Sequence, residues 1–245
     1  MATAIQLPSA IPGLHTPPTL QDLRISSDLY NLLPEDHDQP EVSGEHLSKL
    51  YLLLERYNVQ SLFGLHLIHG HGKIDAGNVM YGEDLTSVRG CWTRPTRIED
   101  LNINEIHGHI FRLTPEGKFQ AYEYREGFCA IPDVDFAFFQ EFADYLLVNQ
   151  LTDLLGLQVL SRNVSPLMCE FVMQNDGTVM LDARDVKGWV PYRTTGYMAN
   201  EAGVTELKGN EQHAATTKGP HKVFYDGKLE DEKHLLDVLK REDII

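Results

Sequence analysis

Two short stretches carry histidines two positions apart around a single glycine: His69 and His71 in "LIHGHGKI", and His107 and His109 in "EIHGHIFRL". Imidazole titrates near neutral pH and readily ligates divalent metals, so paired histidines suit acid–base work or metal binding. In a β-strand, residues two apart project from one face. If both stretches are strands and the strands are neighbours, His69, His71, His107 and His109 converge as a ligand set for one divalent metal. The candidate catalytic groups are then His71, His107 and His109, joined by Glu170. Gly70 and Gly108 fall on the reverse face, where a missing side chain lets a backbone or ligand come close. His66 also falls on that reverse face and is expected outside the cluster. The chain holds 11 histidines in 245 residues, so chance pairs with purely structural roles are the competing explanation.

Glu170 lies in "LMCEFVMQ", followed by Asn175-Asp176-Gly177 and "TVMLDARD". A tight turn there could bring Glu170 towards Asp182, giving a carboxylate pair for acid and base roles. The alternative is that such a carboxylate pairs with an arginine such as Arg184. Trp92 and Trp189 stand in loop-like stretches, where an indole lines a pocket or anchors a loop.

Familiar catalytic patterns are missing. There is no HExxH, no HxD or HxE to begin a facial triad, no cysteine pair at zinc spacing, no GxSxG, no SxxK and no GxGxxG. "GHGK" is not a phosphate loop, because Leu67 stands where the first glycine belongs and Ile74 replaces the Ser or Thr. Gly64, His69, His71, Asp75 and Gly82 resemble the first motif of the cupin family, with a spacer shorter by one and Asp in place of Glu. The second cupin motif, with its PxG and downstream histidine, is absent. That resemblance implies a divergent cupin-like metalloprotein. "LIHGHGKIDAG" also resembles the LxHxHxxLxxG segment of a group of uncharacterised fungal proteins, which implies no activity.

The elements that must position these groups read as follows. Residues 1–20 hold four of the 12 prolines and form an extended arm. Residues 21–245 form a single α+β domain. Ser43 caps an amphipathic helix in "GEHLSKLYLLLERYNV", with Leu47, Leu50, Tyr51 and Leu54 on one face. Hairpins are expected for "SLFGLHLIHGHGKI" with "VMYGED", for "NINEIHGHIFRL" with "KFQAYEYRE", and across Asn175-Asp176-Gly177, with a short fourth in "KVFYDGKLE". Residues 135–156 read as one long helix, capped by Asp135 and closed by Gly156. "LEDEKHLLDVLKRED" is a C-terminal amphipathic helix. The expected architecture is therefore α+β: antiparallel hairpins, about six to eight strands, packed on a long central helix, with N- and C-terminal helices. Residues 185–222 lack periodicity and read as a long irregular loop, disordered or a lid over a substrate.

Bulk composition narrows the partners. The net charge of −15 disfavours nucleic acid. Three separated cysteines fit a reducing compartment, and neither a secretory leader nor a membrane span is expected, so the location reads as cytoplasmic. The functional expectation is an enzyme acting on a small molecule by histidine acid–base chemistry, as an isomerase, lyase, cyclase or hydrolase, with or without a divalent metal. The alternative is a non-catalytic ligand- or protein-binding module with structural histidines.

Overall fold

The computed structural model describes residues 7–8, 10–127, 131, 134–161, 165–199, 205–215 and 224–245. Ten strands close into one barrel: β1 (Phe63–Leu67), β2 (Asn78–Asp84), β3 (Gly90–Arg97), β4 (Ile106–Leu113), β5 (Phe119–Glu126), β6 (Leu155–Val159), β7 (Met168–Val172), β8 (Thr178–Asp182), β9 (Val190–Met198) and β10 (Lys208–Ala215). Their order around the barrel is β1-β6-β4-β5-β2-β3-β8-β7-β10-β9, and β9 returns to β1. Most neighbours are antiparallel, but β2 with β5 and β7 with β10 are parallel. Among the described residues four α-helices accompany it: α1 (Leu20–Tyr30), α2 (Gly44–Arg56), α3 (Phe136–Val148) and α4 (Glu232–Arg241). No helix among the described residues is long and apolar enough to cross a membrane.

This closed mixed barrel replaces the expected α+β arrangement of antiparallel hairpins on a central helix. The helix read as 135–156 stops at Val148, because Gln150 turns the chain with a positive φ of 56° and Leu155 and Gly156 enter β6. It flanks the barrel rather than forming its axis. The first expected hairpin also fails: β1 pairs with β6 and β9, whereas β2 pairs with β3 and β5. The hairpins β4–β5 and β7–β8 form as their turn residues suggest. The stretch expected to be irregular, 185–222, contributes β9 and β10, whose bulged register hides any regular alternation. Residues 224–230 of the fourth expected hairpin form no strand.

Side-chain alternation explains why the barrel works. In β1 and β6 the register pairs Gly64 with Gln158 and His66 with Gly156, so these share one face. Phe63, Leu65, Leu67, Leu155, Leu157 and Val159 share the other. Phe63 and Leu65 pack with Leu50 and Leu54 of α2 and with Phe138 and Phe142 of α3, and the Phe63 ring stacks on Phe138 at 5.4 Å. On the far side, Cys169, Phe171, Val179 and Leu181 pack outward against Leu235, Val238 and Leu239 of α4. The barrel thus turns its apolar faces towards the helices and its polar faces inward. Burying that outer apolar surface drives folding; the inward polar groups must find partners with one another.

Cap chemistry fixes the helix starts. The Thr19 and Asp22 side chains form a reciprocal capping box on α1, Ser43 accepts from the His46 amide on α2, and Asp231 accepts from the His234 amide on α4. In the N-terminal arm, Leu7, Ile11 and Leu14 are buried against the main core. The segment after α1, residues 31–39, lies over one end of the barrel: Gly70 donates its amide to Pro34, and the Asn31 side chain both donates to Ile74 and accepts from it.

Candidate metal centre

At that covered end, His69, His71, Glu170 and His213 bring four donor atoms within 4.8 Å of one another. The Nε2 atom of His69 lies 3.1 Å from the Nε2 of His71 and 3.1 Å from the Nε2 of His213. Glu170 faces both remaining imidazoles, with Oε1 3.2 Å from His71 Nε2 and Oε2 2.8 Å from His213 Nε2. All four side chains are buried.

The four ligands come from three places in the chain. Glu170 is central in β7, and His213 lies in β10, with which it is paired in parallel register. His69 and His71 lie beyond the end of β1, where the backbone turns towards residues 31–39. There the His71 amide donates to the Tyr30 hydroxyl at 3.2 Å, which holds the second histidine in place.

Hydrogen bonding at the opposite ring nitrogens decides which atoms point inward. His69 Nδ1 donates to the Leu67 carbonyl at 2.8 Å. His213 Nδ1 donates to Oδ2 of Asp36 at 2.7 Å, and Asp36 is fully buried. With Nδ1 engaged outward in both rings, Nε2 is the atom left facing the centre, and it becomes a lone-pair donor wherever it carries no proton. Crowded lone pairs beside a carboxylate repel unless a cation sits among them. For metal–nitrogen bonds of about 2.1 Å, neighbouring ligand atoms lie about 3.0 Å apart in octahedral and about 3.4 Å apart in tetrahedral coordination. The spacings of 3.1, 3.1 and 3.2 Å fall in that range, whereas the 2.8 Å between His213 and Glu170 is a hydrogen-bond distance.

The local electrostatics agree. Burial disfavours protonation of His69, and the adjoining His71 and His213 add to this, so its pKa falls well below the usual imidazole value. Burial also opposes the charged forms of Glu170 and His213. Their mutual attraction outweighs it: Glu170 is held well below the usual carboxylate range, and His213, helped by Asp36, is raised to about 9. A proton on His213 thus places a positive charge among these acceptors, and a divalent metal bound there would take its place.

The other predicted residues lie elsewhere. Strand β6 separates β1 from β4, so the two HGH pairs do not meet. His107 Nδ1 bonds to the Gly127 carbonyl at 3.0 Å. His109 sits at the irregularity between Gly108 and Ile110, where its Nε2 is 3.5 Å from both Arg125 and Gln158. Burial, reinforced by Arg125, lowers its pKa well below the usual value. Glu170 faces Met180 rather than Asp182, which pairs with Met168 in register and binds Arg184 at 2.6 Å. Asp75, the acid position of the cupin-like motif, is exposed. Trp92 is an anchor, its indole donating to the Asp176 carbonyl at 2.8 Å.

His66, expected outside the site, stacks on His69 with ring centroids 5.1 Å apart. Its Nδ1 is 3.3 Å from the Tyr122 hydroxyl and its Nε2 3.7 Å from Glu211, which accepts from Gln158 at 2.8 Å. Sequence reasoning missed His213 and Asp36. The one available signal for His213 was Glu211-x-His213, a same-face pair like the HGH motifs; Asp36, in an acidic loop, carried none. No protein-family model, curated protein or solved structure matches the chain, so the donor atoms and their surroundings carry the functional assignment.

Proposed function

We propose that this protein is a metal-dependent enzyme acting on a small molecule, with one divalent first-row transition metal held by His69, His71, Glu170 and His213. The observation that carries this is the convergence of three Nε2 atoms on one carboxylate while two of the Nδ1 atoms are engaged outward. Imidazole and carboxylate donors without thiolate suit such a metal better than calcium or magnesium, which prefer oxygen alone. Bound there, the metal would polarise a substrate oxygen or acidify a water, which serves isomerase, lyase, cyclase or hydrolase chemistry. The chain's own part is to hold the donor set dry and fixed through Asp36, the Leu67 carbonyl and Tyr30. The buried free thiols of Cys91 and Cys169 support a reducing location, and the cytoplasm is the proposed one.

Metal analysis of the purified full chain tests this. Near-stoichiometric transition metal in the wild type, lost in His69→Ala and His213→Ala but kept in His107→Ala, is the expected result. Wild-type protein that takes up no divalent transition metal from a buffered series would overturn it.

A further inference from the structure

The barrel lumen does not end at the metal centre. A cavity of about 860 Å³ opens beside Arg125, His109, Gln158, Met168 and Glu211. Two strands link it to the cluster. β7 contributes Met168 to the cavity and Glu170 to the metal set, and β10 contributes Glu211 to the cavity and His213 to the metal set. Residues two apart on a strand are separated by about 6.6 Å and share a face. The cavity floor is therefore one layer of side chains from the donor atoms, and its volume suits an organic ligand.

Three guanidinium groups line this cavity, and they differ in how they are satisfied. Arg89 grips Asp185 with bonds of 2.9 and 2.6 Å. Arg184 grips Asp182 with bonds of 2.9 and 2.6 Å. Arg125 has only long contacts, 3.3 Å to Asp84, whose side chain is 86% exposed, and 3.5 Å to His109, while its own side chain is only 16% exposed. Its Nε has no hydrogen-bond partner among the described residues. The nearby Glu123 is a weaker counter-ion than an ordinary carboxylate: burial, with Glu170 adding, raises its carboxyl to about 8 despite Arg125. A desolvated guanidinium with a free edge is a site for a planar anion.

We infer that this cavity binds the organic carboxylate substrate of the enzyme, its carboxylate on Arg125 and its remainder directed along the lumen towards His66 and the metal centre. The other lining carboxylates decide for a monoanion over a phosphate dianion, since Arg125 is the one lining guanidinium without a bidentate partner. This rests on the metalloenzyme reading for the word substrate, while the binding of a carboxylate at Arg125 stands separately.

The test is calorimetric titration of the full chain with hexanoate and phenylacetate, and with hexanamide and phenylacetamide as uncharged counterparts. The acids are expected to bind at least tenfold more tightly than the amides. Arg125→Gln should remove that preference while leaving amide binding and metal content unchanged, and Arg125→Lys should restore part of it. Met168→Trp, which fills the cavity from the opposite wall, should weaken both classes of ligand. Equal binding of acids and amides, no acid binding, or acid binding untouched by Met168→Trp overturns the inference, the last even if Arg125→Gln fails to fold. Metal retained without carboxylate preference would sink this inference and spare the metal centre; the reverse pattern would sink the metal centre alone.

Discussion

His213 Nδ1 donates to the buried Oδ2 of Asp36 across 2.7 Å, joining residues 177 positions apart and fixing the ring so that Nε2 faces Glu170 and His69. A carboxylate behind a ligating imidazole both orients it and raises its basicity. Asp36→Ala should keep metal stoichiometry at saturation but weaken affinity by about 10–100-fold, as measured by competition with a chelator of known strength. Unchanged affinity would show that Asp36 serves only to dock the 31–39 segment.

The ligand set and the second HGH pair should separate cleanly. Glu170→Gln, which keeps size and removes charge, is expected to cost metal affinity more than His107→Ala or His109→Ala, neither of which touches the cluster. Metal titration followed by absorption of bound cobalt would read the donor set directly. Equal losses in all three variants would mean that the cluster seen here is not the binding site.

Metal should also stabilise the fold, because the donors come from β7, β10 and the segment after β1 and meet only in the folded state. At free metal a hundredfold above Kd the gain is about 2.7 kcal/mol. For a chain of this size that raises Tm by about 5–11 °C. Differential scanning calorimetry with and without chelator should show this in the wild type and not in His213→Ala.

Several local elements could be read from residues alone, and their reasons are local. Ser43 before an amphipathic run caps α2, and Asn175-Asp176-Gly177 marks the β7–β8 turn, where Gly177 takes a φ of 80°. Barrel closure could not be read, because it depends on pairings between distant strands: β2 with β5, β7 with β10, β9 with β1. The polar lumen misled in a specific way. Alternation in β1 correctly separates His66 from Leu65 and Leu67, but nothing in it says that the apolar face packs outward on α2 and α3. Strand parity also ceases to apply beyond Leu67, which is why His66 and His69 stack although the sequence sets them on opposite faces.

Asp182 provides a test in pH. Its bonds to Arg184 outweigh the opposing effect of burial and hold its carboxyl far below the usual value. A carboxyl depressed in the folded state adds stability that is present above its unfolded pKa of about 3.9 and disappears as pH falls through the folded value. The Tm difference between wild type and Asp182→Asn should be largest near pH 6 and shrink below about pH 4. A difference that grows on acidification would contradict the assignment of the charge to Asp182. The exposed position of Arg184, at 64%, keeps the effect modest and makes it weaker at high salt.

Gly108 shows what the second HGH pair does. Its amide donates to the Gly13 carbonyl at 2.8 Å, so the N-terminal arm passes directly over it. A Cβ added there would stand 2.8 Å from the Cβ of Ala121 and would collide with the Phe111 ring. Neither neighbour can yield, since both are buried in the main core. Gly108→Ala should therefore destabilise the fold by about 1–3 kcal/mol through overpacking, measured by urea denaturation. His107→Ala, which loses one bond to a carbonyl from a half-buried ring, should cost about 1 kcal/mol. If Gly108→Ala instead left stability intact and removed metal, the glycine would be a ligand approach after all. The expected order, with the glycine mattering more than the flanking His107, makes this motif a seat for the N-terminal arm and leaves metal binding to His69 and His71.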